Sequence, residues 1–390
     1  MARKSAAGTG TIRRKTVTRN GKEYTFWEAR YTVGYDPGTG KQIQRSISGK
    51  TQKEVAKKLK EATAAIDAGT YSAPQKMTVG EWIDIWTAEY LKKIKPRTVE
   101  SYQIIAKNHL KPALGATKLD ALSPHTVQTF YNSLTDEKGL SAKTVKNIHG
   151  VLHKALQQAV KNRYIPFNPA EACELPRVEK AQIHPLDDAE IGAFMKAISG
   201  HRFEYLFLTV LFTGMREGEA LGLQWDRVNL TKGTILVDQQ LQKVVGQKEY
   251  RLVSTKNSKG RLITPPPFVI ATLKKVKRQQ MENRMRYGEC YTTSGFVFTN
   301  ELGIHYTPKQ VYDAFKKVAS EIGRPDARFH DLRHSYAVAS IRSGDDIKTV
   351  QENLGHATAA FTLDVYGHVT EQMKRESADR MEQYIRKVSG

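Results

Sequence analysis

The chain has 390 residues, with 61 Lys and Arg against 40 Asp and Glu, a net charge of +21 and a pI near 9.7. That length exceeds one ordinary core, and 39% hydrophobic residues suffice for packed domains, so the charge marks a folded polycation rather than disorder. Its partner is a polyanion, either nucleic acid or an acidic membrane surface.

A membrane-spanning chain is excluded, because the longest apolar stretch, "YLFLTVLF" at 205–212, is too short to cross a bilayer. The start, "MARKSAAGTG", lacks the apolar core of a signal peptide. Cys173 and Cys290 encode neither a disulfide framework nor a Cys-based metal site. A soluble, intracellular, multidomain protein is expected.

Residues 1–75 carry 15 Lys and Arg against 6 Asp and Glu. "GTIRRKTV", "EYTFWEARYTVGY" and "KQIQRSISG" alternate in the manner of strands, with hairpin turns at Asn20-Gly21 and at "DPGTG", 36–40. "TQKEVAKKLKEATAAIDAG" opens with a capping box, Thr51 and Glu54, and carries Val55, Leu59, Ala62 and Ile66 on one face. The reading is a small three-stranded sheet plus one helix over 1–72, with Arg30, Lys41 and Arg45 on strands. Such cations make either a solvated basic face or a face for a DNA groove.

"SAPQK" at 72–76 reads as a linker, and residues 77–172 as an all-helical domain. Its helix starts are marked by the Thr78/Glu81 capping box and by Ser123 before Pro124. Lys95, Arg97, Lys143 and Lys146 lie near helix starts, where backbone N–H groups also favour phosphate. Trp82, Trp86 and Tyr102 read as core. Four prolines between Ile165 and Leu186 mark a second boundary.

Residues 180–390 read as a mixed, mainly α domain. Helices are expected from Asp187 and Arg202, over 267–287, 308–322, 331–344 and 346–354, and again in an amphipathic tail. "GTILVDQQLQ" and "GRLITPP" read as hairpin strands, with "STKNSK" near their turn.

This last segment has no Walker-type glycine loop, no paired-carboxylate metal cluster and no Ser or Cys nucleophile elbow. Its chemistry-bearing groups are cations and a tyrosine. Arg216 stands in "TGMREGEALGL"; His330, Arg333 and His334 of "HDLRH" share one helix face at i, i+3 and i+4. His356 in "LGH" precedes Tyr366 of "TLDVYGH" by ten residues. His330 and His334 have the spacing of zinc ligands, but no acidic base lies between them in the required way and no third ligand is evident.

In order and wording these four blocks resemble the tyrosine recombinase, or phage integrase, family. Residues 77–172 look like that family's core-site-binding domain. Residues 1–72 look like the arm-site-binding domain of integrases from lambda-like phages and conjugative transposons. The resemblance implies a site-specific DNA recombinase whose tyrosine, Tyr366, attacks a phosphodiester to leave a 3′-phosphotyrosyl bond and a free 5′-hydroxyl. The linkage conserves bond energy, so neither ATP, metal nor other cofactor is implied. Fixed donors must then meet the transition-state charge: Arg216 and Arg333 as forks, with His330 and His356 as further donors or a proton route.

A hairpin lysine protonates the leaving oxygen in this family. Lys256, after Thr255, matches best, with Lys259 as the alternative. Glu219 would hold Arg216 in place, and His334 and His368 would support the site. Implied partners are double-stranded DNA at core and arm sites, a tetramer of this chain on DNA, an excisionase and a host DNA-bending protein, in the bacterial cytoplasm. A type IB topoisomerase and a non-catalytic DNA-binding protein are the rival readings.

Overall fold

The structure is a computed structural model that describes residues 11–36, 38–67, 77–179, 183–247, 249–255, 260–356, 358, 363, 378–379 and 381–389. Two compact units divide the chain, Met1–Glu179 and Lys180–Gly390. No helix among the described residues is long and apolar enough to cross a membrane.

The first unit begins with an antiparallel sheet in chain order, β1 (Thr11–Arg19), β2 (Lys22–Tyr35) and β3 (Gln42–Gly49). Asn20 and Gly21 both take positive φ, 50° and 74°, the turn geometry that matches the twist of a two-residue hairpin. Helix α1 (Gln52–Asp67) covers one face, packing Val55 and Leu59 on Ala29 and Tyr31. The Thr51 hydroxyl accepts the Glu54 N–H at 3.2 Å as expected, while the Glu54 carboxylate takes the N–H of Lys50 at 3.0 Å.

One sequence expectation changes here. Lys41 is not on a strand: it stands one residue before β3, where its carbonyl accepts the Asp36 N–H at 2.9 Å and closes the turn. Arg30 and Arg45 are on strands as expected, on opposite faces of the sheet. Arg45 pairs with Tyr31, which is buried beneath α1, whereas Arg30 and Glu28 alternate onto the opposite side.

The rest of the unit is helical and has its own core. Helix α2 (Val79–Ile85) continues through a π-helical turn, Trp86–Tyr90. Helix α3 (Pro96–Ile105) continues through a second such turn, Ala106–Leu110, into α4 (Lys111–Leu114). Then come α5 (Pro124–Asp136) and α6 (Ala142–Lys161), capped by Ser123 and Ser141. The Thr78/Glu81 capping box is complete. Trp82 is fully buried and donates its indole N–H to the Ala155 carbonyl at 2.8 Å, and Trp86 stacks on Tyr102.

The second unit is built around α8 (Glu204–Thr213), buried without interruption from Leu206 to Leu211, as a helix apolar all round must be. Before it runs α7 (Asp188–Ala197), with a complete capping box at Asp187 and Glu190; after it comes the short α9 (Glu217–Leu221). Strands β4 (Val228–Asn229), β5 (Thr234–Val237), β6 (Gln239–Lys243), β7 (Tyr250–Ser254) and β8 (Arg261–Ile263) follow. Helices α10 (Pro267–Tyr287), α11 (Pro308–Glu321), α12 (Phe329–Arg342) and α13 (Ile347–Leu354) complete the unit, with α8 packed against α10 and α12.

The hairpin differs from its expected form. "GTILVDQQLQ" divides at Asp238 into β5, which pairs with β8, and β6, which pairs with β7. The β6–β7 hairpin is closed by the Val244 N–H to the Glu249 carbonyl at 2.8 Å. Ser254, the first residue of "STKNSK", ends β7 paired with Gln239, and 256–259 lie outside the described residues. Strand β6 lies hard against α9: a Cβ on Gly222 would come within 2.6 Å of the Leu241 backbone nitrogen.

Candidate active site

Helix α8 ends at Gly214, left-handed with φ 63°. A side chain there would meet Tyr336 at 2.5 Å and Leu354 at 2.7 Å, so the chain turns on a residue that must lack one. Two residues on, Arg216 caps α9 and Glu219 reaches back. Its carboxylate accepts the Arg216 backbone N–H at 2.9 Å and the guanidinium Nη1 at 2.7 Å. This is the ion pair expected at i, i+3.

Helix α12 repeats the device. Asp331 is 4% exposed and accepts both the Arg328 N–H and its guanidinium, each at 2.8 Å. That capping sets the helix start at Phe329, two residues before the expected one, and fixes the first turns. His330 and His334 then lie ring to ring, with centroids 4.9 Å apart. Between them Arg333 turns inward and is only 2% exposed. It donates Nη1 to the Gly214 carbonyl and Nη2 to the Leu354 carbonyl, both at 2.6 Å.

The C-terminus of α13 ties the site together. Gly355 closes the helix in the left-handed conformation, φ 64°, leaving terminal carbonyls without helical partners. Three consecutive carbonyls are each taken by a different arginine: Asn353 by Arg261 Nε at 2.7 Å, Leu354 by Arg333, and Gly355 by Arg216 Nη2 at 3.4 Å. Cations suit this negative end of the helix dipole. His356 follows, its carbonyl held by Gln351 Nε2 at 2.7 Å.

The electrostatics follow from this crowding. Burial, then the charges of Arg333 and Arg216, lower the His356 imidazole to about 3. Burial and the neighbouring His330 lower His334 to about 4. His330, at the start of α12, is also lowered, by the packing around its ring and then by Arg333 and Arg216. All three rings are neutral at pH 7 and each offers one N–H and one acceptor.

Burial alone would push the Glu219 carboxyl up, but the hydrogen bonds and charge of Arg261, with those of Arg216, hold it at about 2. Glu217 is the opposite case. Burial raises it to about 7, and its Oε1 has no hydrogen-bond partner among the described residues.

The structure thus brings together Arg216, Glu219, His330, Arg333, His334 and His356. Lys256, Lys259, Tyr366 and His368 lie outside the described residues. No group of three or more His, Cys, Asp or Glu suited to a metal occurs among the described residues.

In the first unit, Lys95 caps α3, and the neighbouring Arg97 pairs with Glu100. Lys143 and Lys146 are exposed in the first two turns of α6. On the open face of the N-terminal sheet Arg30 has companions that sequence reading missed. Arg13 and Lys15 converge with it on the buried Glu28, at 2.8, 3.1 and 3.8 Å. The signal was present in the alternation of Arg13 and Lys15 opposite Glu28. Arg261 was missed as well, and its partners are 42 and 92 residues away in the chain.

Two convergent guanidiniums, one fully enclosed and one 30% open, beside three neutral imidazoles can bind a phosphate from several sides and stabilise added negative charge on it.

Comparison with known proteins gives the same direction. Residues 185–373 match the model described as the phage integrase family, and residues 78–135 match the phage integrase N-terminal SAM-like domain. A XerC-like tyrosine recombinase of Caldanaerobacter subterraneus subsp. tengcongensis is 30% identical over 95% of this chain and 98% of its own length. The ICEBs1 integrase of Bacillus subtilis is 25% identical over 91% of this chain and 96% of its own. Among solved structures, the Tn1549 transposon integrase in complex with transposon right end DNA superimposes with a TM-score of 0.68 at 21% identity, covering 78% of this chain and all of that one. A lambda integrase tetramer bound to a Holliday junction superimposes at 0.56 and 18% identity, covering 88% and 96%.

Proposed function

This chain belongs to the phage integrase family of tyrosine recombinases, and from that premise we propose that it is the integrase of a mobile element, a site-specific recombinase that cuts and rejoins double-stranded DNA. One observation carries the reading: the two arginines of separate motifs, Arg216 and Arg333, are drawn to the same helix end and fixed there by backbone carbonyls. An ion-pair network serving only stability has no need to hold guanidiniums beside a cluster of neutral imidazoles.

The proposed chemistry runs as two transfers at phosphorus. The Tyr366 oxygen attacks the scissile phosphate, forming the phosphotyrosyl bond as the bond to the 5′-oxygen breaks. The tyrosine proton leaves through His330, while His356, too weak a base at about 3 to accept it, donates a hydrogen bond to the phosphate, and Lys256 gives a proton to the departing oxygen. The 5′-hydroxyl of the partner duplex then attacks the same phosphorus, giving its proton back to Lys256, as the bond to the Tyr366 oxygen breaks and that oxygen recovers its proton through His330. Arg216 and Arg333 hold the non-bridging oxygens throughout, with Glu219 and His334 in support. Because phosphotyrosine conserves the bond energy, neither ATP nor metal is needed.

Residues 77–172 would bind core sites through cations including Lys95, Arg97, Lys143 and Lys146, and residues 1–72 would bind arm sites. The catalytic domain spans 180–390. Exchange between two duplexes requires four such sites, hence a tetramer on DNA. An excisionase and a host DNA-bending protein would set direction, in the bacterial cytoplasm.

The test uses element-end DNA nicked just past the cleavage position, incubated without metal and run on a denaturing gel. A covalent adduct mapped to Tyr366 and absent from Tyr366→Phe is expected. Salt-sensitive binding without an adduct would overturn the catalytic reading.

A further inference from the structure

We propose that Arg261 is a positioning residue for strand cleavage: it occupies the fork of Glu219 and thereby leaves the Arg216 guanidinium open to the scissile phosphate. The proposal rests on the reading of Arg216 as a phosphate ligand.

Glu219 accepts four hydrogen bonds. Its Oε1 receives Nη1 of both Arg216 and Arg261, at 2.7 and 3.1 Å; its Oε2 receives the Arg216 backbone N–H at 2.9 Å and Arg261 Nη2 at 2.7 Å. A carboxylate has about four acceptor sites, so this one is full. Arg261 holds it in the two-pronged manner, one nitrogen to each oxygen, which is the favoured arrangement for such a pair. Arg216 is limited to one guanidinium nitrogen on Glu219, with a second on the Gly355 carbonyl.

Without Arg261 the buried carboxylate would face Arg216 alone. The pair would close into its own fork, turning a second guanidinium nitrogen inward and reducing the charge of the trio from +1 to zero for the pair that remains. Arg261 also fixes the other side of the site. Its Nε holds the Asn353 carbonyl, and its shaft lies on Gly355, where an added Cβ would meet Arg261 Cδ at 3.0 Å. All three guanidinium nitrogens of Arg261 are engaged, on Glu219 and on the Asn353 carbonyl, which makes it a residue acting through Arg216.

The experiment compares cleavage of the natural diester with cleavage of a methylphosphonate at the scissile position, where one charged oxygen is replaced by a methyl group. The neutral phosphorus centre has less need of a guanidinium, so a defect in Arg216 shrinks on it. Arg261→Met is expected to bind DNA as wild type does and, though it melts lower for loss of a buried ion-pair partner, to be folded at the assay temperature. It should cleave the diester on the order of 10²-fold more slowly, with most of that loss absent on the methylphosphonate. In a Glu219→Gln background, Arg261→Met should add no further loss, since both act through one contact.

Unimpaired cleavage, equal slowing on both substrates, or an additive double mutant would overturn the proposal. Should Arg261→Met fail to fold, Arg261→Lys, which keeps charge but not the fork, is read by the same criteria. Arg216→Ala serves as the reference. No methylphosphonate relief there overturns the reading of Arg216 and this proposal with it, whereas relief in Arg216→Ala without relief in the Arg261 variant overturns this proposal alone.

Discussion

Glu217 and Glu219 are two residues apart and shift in opposite directions, because arginines meet the buried Glu219 while Glu217 is buried with no hydrogen-bond partner on its Oε1 among the described residues. A carboxyl near 4.5 when unfolded and about 7 when folded is favoured by the fold in its protonated form. Its contribution is therefore whole below pH 4.5 and is lost as the pH rises through 7. Glu217→Gln mimics the protonated form. It should melt a few degrees above wild type at pH 8, with the gap closing as pH falls toward 4.5, in thermal unfolding followed across pH. A constant gap would mean that packing, not ionisation, separates the two.

What the sequence disclosed at this scale was local. His330, Arg333 and His334 are legible because helical periodicity places them side by side, and Glu219 because it lies three residues from Arg216. Arg261 was hidden, since a contact across 42 residues is set by the pairing of β5 with β8 and by nothing in its own neighbourhood.

Among the elements, α13 is short, and its start bears on its function. Asp346 caps it by accepting the N–H groups of Lys348 at 2.8 Å and Thr349 at 3.0 Å. Asp346→Ala should cost about 1 kcal/mol in urea unfolding. It should lower the cleavage rate more than that figure alone implies, because fraying disturbs the carbonyls that hold Arg261, Arg333 and Arg216. Equal cleavage rates would show that the helix end is held by the arginines without its cap.

The N-terminal sheet gives a second element-scale expectation. Arg30→Ala, on the open face with Arg13 and Lys15, should weaken arm-site binding and reduce the salt slope by about one. Arg45→Ala, on the helix side, should change both less, as read by titrations at several salt concentrations. Strand alternation made the sheet readable, but which cations shared a face depended on register, and the Lys41 error came from extending a pattern into a turn. The hairpin error was similar: unbroken alternation across Asp238 concealed the place where one partner strand gives way to another.

At the scale of the whole molecule, length and charge pointed to a multidomain chain with a polyanionic partner, the four motif blocks narrowed that partner to DNA, and the division at Glu179 and Lys180 falls in the proline-rich stretch. Residues 381–389 form a helix whose Met381, Tyr384, Ile385 and Val388 are all exposed. Such a face suits a partner surface. Removing residues 372–390 should abolish strand exchange and tetramer formation on DNA while leaving site binding intact. Mobility-shift and exchange assays on the same preparation check this; an exchange-competent truncation would remove the tail from assembly.

The arginines at the end of α13 are held by main-chain oxygens, and this has a consequence for how such a site ages. Mutation replaces side chains but leaves the peptide group in place, so Asn353 and Leu354 can vary without removing the acceptors of Arg261 and Arg333. Drift is instead restrained at positions that shape the backbone or fill its clearances: Gly214, Gly355 and the arginines themselves. Two descendants of one ancestor can diverge through most of their residues and still present the same array of oxygens. Similarity of this centre is therefore better preserved in the path of the chain than in its letters.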